Sequence, residues 1–356
     1  MQQHGDDTYR YKDIRWNFSS NVFGGFDHSG LFRHLSERMG VVNTYPEPDA
    51  AALEREIATD IALPSECVMA TNGATEAIYL IAQTFNEGVN GIVQPTFSEY
   101  KAAVMAFHKE DDGRGNRAVA LPYAVDMGMN GDVEARLASV DMHISTLWIC
   151  NPNNPTGTVM PKERVVSLIR KHSDTLFVLD HSYACFTEKP LLTAEEAASM
   201  PNVLMLHSMT KQYAIPGLRL GYVTGNAALI ERLRMKRMPW SVNALAIEAG
   251  MYLLRHKDDY AIDLHKLLCE RERVARRLQE IGDIEVLPSD THILLCRLKC
   301  ERTAAEMKEY LATQHGILIR DASTFDGLDA QYFRIAVQTE AENDELINAI
   351  GRFLGK

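Results

Sequence analysis

Nowhere in the 356 residues do apolar side chains run far enough without interruption to span a bilayer, which argues against a membrane-anchored protein. The opening stretch from Met1 to Asn17 carries charges of both signs and no apolar centre, unlike a signal peptide, so a cytoplasmic location is expected. Basic excess is also lacking: 48 Asp and Glu against 37 Lys and Arg give a formal net charge of −11. Nucleic acids and anionic membranes are held by clustered Lys and Arg, so neither is an expected partner. The six cysteines (Cys67, Cys150, Cys185, Cys269, Cys296 and Cys300) form no C-x-x-C pair, a pattern of reduced thiols. Cys296 and Cys300 have no matching His/Cys pair, so no metal site is expected.

What is present is ordinary globular material, 46% hydrophobic and 24% charged, enough for one large and one smaller domain. Short apolar runs at Gly91 to Gln94, Leu147 to Cys150, Phe177 to Asp180 and Val203 to Leu206 alternate with helical patterns such as Lys162 to His172. That alternation predicts an α/β fold with a mostly parallel sheet and crossover helices. Ligands bind such sheets beyond the carboxyl ends of the strands, where the polar residues of interest follow directly. The polar insert Lys109 to Asn116 reads as a surface turn. From about Ala244 to Gln279 the pattern becomes one long helical bridge. A C-terminal domain follows, with strands expected at His292 to Leu298, Gly316 to Arg320 and Tyr332 to Val337, and helices at Ala304 to Thr313 and Glu342 to Phe353. The expected division is an arm over 1–40 that packs on the small domain, a large domain over 41–250 and the small domain over 251–356.

Five segments carry chemistry. Lys211 sits in a Ser/Thr-rich turn after the run Val203 to Leu206, and Arg219 follows eight residues later. An amine there can condense with a cofactor aldehyde, while Ser208, Thr210 and Arg219 offer the hydroxyls and fixed charge that a phosphate monoester needs. This is the layout of a pyridoxal-phosphate lysine. Gly73, Ala74 and Thr75 open a helical pattern, where free amides and the positive dipole end suit an anion. An N-cap by Asn72 or Thr75 explains the same residues. Phe97, after a strand, can stack on a ring or simply pack in the core. The turn Asn151-Pro152-Asn153-Asn154-Pro155-Thr156-Gly157 leaves Asn154 as a donor toward a ring oxygen. Asp180 ends a strand where a carboxylate can keep a pyridine nitrogen protonated, and Tyr183 follows as a second hydrogen-bonding group.

Taken in order, Gly73-Ala74-Thr75, Phe97, Asn154-Pro155-Thr156-Gly157, Asp180, Lys211 and Arg219 resemble the fold-type I aminotransferases of class I/II across nearly the whole chain. Within that superfamily, Asn17 to Asn21, Tyr45 to Asp49, Lys211 to Gly221, Met238 to Ala246, Gly327 to Asp329 and Tyr332 to Arg334 are most similar to the L-threonine-O-3-phosphate decarboxylases. The histidinol-phosphate aminotransferases are near relatives. The resemblance implies pyridoxal 5'-phosphate as cofactor, Lys211, Asp180 and Tyr183 as catalytic residues, and a small phosphorylated amino acid as substrate. It also implies a homodimer with shared sites, in which Tyr45 reaches the other subunit's cofactor phosphate. Arg334 is implied to bind the substrate carboxylate and Arg320 a second substrate anion, with Asn154 and Asn21 beside the substrate. The implied reaction is decarboxylation within cobalamin synthesis, with transamination as the alternative.

Two departures stand out. Relatives have Asp-Glu-Ala-Tyr or Asp-Glu-Ala-Phe where this chain has Asp180-His181-Ser182-Tyr183. His181 is expected to be hydrogen-bonded behind the site, in a titration range that allows a local pKa role. The arm reads Val22-Phe23-Gly24-Gly25 after Asn21 in place of the usual Asn-Pro.

Overall fold

The computed structural model describes residues 5–85, 87–107, 117–122, 132–140 and 142–356. The insert Lys109 to Asn116 lies outside the described residues. A seven-stranded sheet dominates. From edge to edge its strands are Val68–Thr71, Gly221–Gly225, Val203–Ser208, Leu176–Asp180, Ile144–Cys150, Val89–Gln94 and Arg117–Pro122. Gly221–Gly225 runs antiparallel to both neighbours, and the other pairs are parallel.

The sequence explains why both faces are covered. Side chains alternate across a strand, so a doubly covered strand must be apolar at every position. In Leu176–Asp180 every residue is buried. Trp148, Val178, Leu204 and Leu206 point to one face, in a cluster with Ala77, Ile78 and Ile81 of helix Gly73–Thr84. Leu147, Ile149, Phe177, Leu179 and Met205 point to the other, in a cluster with Val165, Leu168 and Ile169 of helix Lys162–Lys171. The first cluster continues into the C-terminal part through Leu294, Ile335 and Leu346.

The expected single bridge is two helices, Ala244–Arg255 and Leu264–Glu280, separated by a short turn at Lys257–Tyr260. Asp263 restarts the helix, its Oδ1 accepting from the Lys266 N–H at 3.1 Å, a side-chain cap that helical periodicity does not register. Beyond it lies a four-stranded sheet in the order Arg320–Asp321, Tyr332–Ala336, Ile293–Leu298 and Ile284–Val286. The strand expected over Gly316 to Arg320 is also divided: Ile317–Leu318 pairs in parallel with Trp16–Asn17, while Arg320–Asp321 joins the four-stranded sheet. Gly316 makes the entry possible, since it has φ +64° and a Cβ there would lie 2.7 Å from the Asp13 carbonyl oxygen. The described part of the N-terminal arm thus lies against the last third of the chain, through Trp16–Asn17 and Ile317–Leu318. Among the described residues, no helix is long and apolar enough to cross a membrane.

Candidate active site

Parallel strands deliver their last residues to one edge of the large sheet, and a cavity of about 370 Å³ opens there. Asp180, the last residue of Leu176–Asp180, is buried in its wall. Its Oδ2 accepts from the Tyr100 hydroxyl at 2.7 Å and its Oδ1 from the Ser182 N–H at 2.8 Å. Burial raises the carboxyl pKa, while the bonds from Ser182 and Tyr100 oppose that rise.

Lys211 lies in the single helical turn Met209–Gln212 directly after strand Val203–Ser208. Its Nζ donates to the Ser20 carbonyl at 2.5 Å. Burial, assisted by the nearby charges of Arg334 and Arg219, brings its pKa down to about 7, against the opposing pull of Asp6 and Asp180. An amine so placed exists in both protonation states near neutrality, which suits a nucleophile that must also carry protons.

An anion cup lies at the start of helix Gly73–Thr84. Gly73 has φ +73°, and a Cβ there would stand 2.6 Å from Nη2 of Arg219. Glycine therefore lets the guanidinium rest on the helix N-terminus, where free amides already favour an anion. Arg219 itself has φ +59°, and its Nη1 donates to the Pro216 carbonyl at 3.1 Å and approaches Thr210 Oγ1 at 3.5 Å. Ala74, Thr75, Ser208 and Thr210 complete the lining. Asn72 stands at the cap position without a side-chain cap bond, and Glu76 Oε2 instead accepts from the Asn72 N–H at 2.5 Å.

The opposite side of the cavity is polar. Asn21 Nδ2 donates to the Tyr183 hydroxyl at 3.0 Å, and Arg334 Nη1 donates to Asn154 Oδ1 at 2.5 Å. A second Arg334 nitrogen donates to the Ser19 carbonyl. The Arg334 guanidinium is brought down to about 9 by burial, with Arg320 adding repulsion against the favourable pull of Tyr183. Arg334 Nε and Asn21 Oδ1 have no hydrogen-bond partner among the described residues. Phe97 lies on the wall with its ring edge-on to Tyr100, centroids 5.9 Å apart.

Two expected site residues, Tyr45 and Arg320, are not among the residues that line this cavity. Tyr45 is 85% exposed and packs against Trp240 with ring centroids 5.3 Å apart. Arg320 is buried beside Arg334, directly opposite it across the antiparallel strand pair, and its Nη2 donates to Thr324 Oγ1 at 2.8 Å. His181 differs from expectation. It is buried outside the cavity lining, its ring makes no hydrogen bond among the described residues, and burial pushes its pKa down to about 4, leaving it neutral near pH 7. Cavity residues outside every sequence motif include Gly5, Asp6 and Tyr100, while Ser19 and Ser20 stand in the Asn17 to Asn21 segment. Gly5, Asp6, Ser19 and Ser20 come from the N-terminal arm.

The donor set fits a pyridoxal phosphate: a cationic cup for the phosphate, a buried carboxylate for the ring nitrogen and an amine of lowered pKa for the aldehyde carbon. Residues 16–350 match the sequence model of the aminotransferases of class I and II. The chain belongs to that family. Its cofactor is therefore pyridoxal 5'-phosphate, and its fold is that of the fold-type I enzymes. The threonine-phosphate decarboxylase of Salmonella typhimurium is 32% identical over 95% of this chain and 91% of its own. A histidinol-phosphate aminotransferase of a Thermoanaerobacter species is 30% identical over 88% of this chain and 85% of its own. Among solved structures, L-threonine-O-3-phosphate decarboxylase from Porphyromonas gingivalis superimposes with a TM-score of 0.86 and 35% identity, covering 96% of this chain and 100% of that one.

Proposed function

We propose that the protein decarboxylates L-threonine O-3-phosphate to 1-amino-2-propanol phosphate, a step of cobalamin synthesis, as a cytoplasmic homodimer with shared sites. The observation that carries this reading is the buried Arg334 in the cavity wall, with Arg320 opposite it in the adjoining strand, beside the similarity to two threonine-phosphate decarboxylases. A substrate with two anionic groups calls for two such cations. In this reading Arg334 favours the carboxylate and Arg320 the phosphate.

When bound, the cofactor supplies an electron sink for the charge left at Cα once a bond there breaks. Asp180 holds the proton on the ring nitrogen, because a buried anion favours the cationic form. Arg219, Thr210, Ser208 and the amides at the start of Gly73–Thr84 would hold the cofactor phosphate, and Asn154 and Tyr183 would serve its ring oxygen. Which bond at Cα breaks would follow from how these residues grip the substrate: a hold on the carboxylate by Arg334 would favour loss of the Cα proton, whereas a grip on the phosphate would turn the substrate toward loss of the carboxylate. Lys211 Nζ or water would then deliver to Cα the proton that takes the place of the departed carboxylate.

Transamination is the second reading, favoured by the 30% identity to a histidinol-phosphate aminotransferase. Incubation with threonine phosphate, with and without a keto acid, separates the two. Carbon dioxide release without keto acid supports decarboxylation. Amino transfer from histidinol phosphate, with no carbon dioxide from threonine phosphate, overturns it.

A further inference from the structure

Five charged side chains line the cavity: Asp6, Asp180, Lys211, Arg219 and Arg334. The cofactor's phosphate, ring nitrogen and aldehyde and the substrate's carboxylate account for four of them. Asp6 is left over, an anion in a cavity otherwise built to receive anions.

Its placement is not that of a stray side chain on a loose arm. Gly5 brings the backbone against the site, since a Cβ there would lie 3.1 Å from the Ser19 carbonyl oxygen and 3.5 Å from Nη2 of Arg334. Asp6 adopts φ +61°, a left-handed conformation that Asp tolerates better than most residues. Its N–H donates to Ser19 Oγ at 3.3 Å, and its Oδ1 accepts from Asn17 Nδ2 at 2.6 Å. Oδ2 has no hydrogen-bond partner among the described residues. Asp7 then locks the segment, with both carboxylate oxygens accepting from the buried Lys308 Nζ at 2.8 and 2.7 Å. Of the two carboxylates that favour protonated Lys211, Asp6 acts more strongly than Asp180.

We propose that Asp6 receives the substrate's α-ammonium group and so selects phosphorylated amino acids over phosphorylated acids of the same shape. The incoming amine would take the place of Lys211 Nζ, its ammonium proton passing to the released lysine amine, so it arrives within the field of the same carboxylate. A substrate with one ammonium and two anionic groups then meets Asp6 and Arg334 in the cavity lining, with Arg320 opposite Arg334 in the adjoining strand. An organophosphate lacking the amine meets Asp6 as an uncompensated repulsion, which is discrimination by penalty as well as by attraction. The inference rests on the proposed reading for the identity of the substrate, not for the role of the amine.

The test compares wild-type and Asp6→Asn holoenzyme with L-threonine O-3-phosphate and with its des-amino analogue, 3-phosphooxybutanoate, as competitive inhibitor. Loss of a charge-assisted contact should raise KM, or the dissociation constant read from the cofactor's absorbance change, by about tenfold or more. The inhibition constant of the analogue should stay level or fall. Equal weakening of both ligands would mean that Asp6 merely shapes the arm, and an unchanged KM would mean that it does not meet the amine. Either result overturns the proposal. If threonine phosphate is not turned over, the reading of the substrate fails by itself, and the same comparison with histidinol phosphate and its des-amino counterpart decides the role of Asp6.

Discussion

Nη2 of Arg219 lies 2.6 Å from the point where residue 73 would carry a Cβ, so the guanidinium can rest on this helix N-terminus only because that residue is glycine. Gly73→Ala meets two penalties. It strains a backbone at φ +73°, at about 1–2 kcal/mol, and it pushes the guanidinium off the helix N-terminus. Cofactor affinity should fall at least tenfold, measured by titrating cofactor-free protein with pyridoxal phosphate. Affinity equal to wild type would remove Arg219 from the phosphate site.

Asp180 and Tyr100 should separate holding the cofactor from activating it. Asp180→Asn removes the buried anion and should cut the rate by several orders of magnitude while the cofactor stays bound. Tyr100→Phe removes only the donor at 2.7 Å. Without it the Asp180 carboxyl pKa rises further, and the rate should fall by a smaller factor, about tenfold. Rate constants with cofactor absorbance recorded on the same samples check both, and an Asp180→Asn enzyme near wild-type activity would refute the assignment.

The parts of the site legible in the sequence are those that follow a strand directly. Asp180 and Lys211 come at the ends of apolar runs whose burial on both faces forces a strand, and Gly73, Asn154 and Arg219 stand in turns whose composition restricts their geometry. Periodicity has no way to announce Asp6. Its position depends on a two-residue pairing, Trp16–Asn17 with Ile317–Leu318, and on a buried ion pair between residues 301 apart in the chain. Tyr100 is equally silent: it lies inside helix Glu99–Ala106, and its role depends on a strand 80 residues further on. The Asp263 cap and the divided strand at Gly316 were missed for a related reason, because local side-chain bonds and φ > 0 override an otherwise continuous pattern.

Lys211 should link stability to pH in the cofactor-free protein. Burial and the charges of Arg334 and Arg219 lower its pKa to about 7, against Asp6 and Asp180, while an unfolded lysine titrates near 10.4. Between those values the unfolded chain binds the extra proton, so the contribution of this group to stability rises with pH from about 7 to about 10.4. Below pH 7 both states are protonated and the penalty of the buried charge is fully present. Lys211→Met should flatten that slope in denaturant titrations across the window, and should abolish turnover and borohydride labelling of the cofactor-loaded enzyme. A label on any other lysine contradicts the assignment.

Tyr45 bears on assembly. Tyr45 is 85% exposed, packs at a tilt against the half-exposed Trp240 and is outside the lining of its own chain's cavity. In a homodimer with shared sites its hydroxyl is available to the partner's cofactor phosphate. Sedimentation should then show a dimer at assay concentration, and Tyr45→Phe should weaken cofactor binding several-fold, about the effect of one hydrogen bond to a charged group. The substitution keeps the ring against Trp240, so the dimer itself should persist. A fully active monomer, or unchanged cofactor affinity in a stable Tyr45→Phe dimer, would leave the site complete within a single chain.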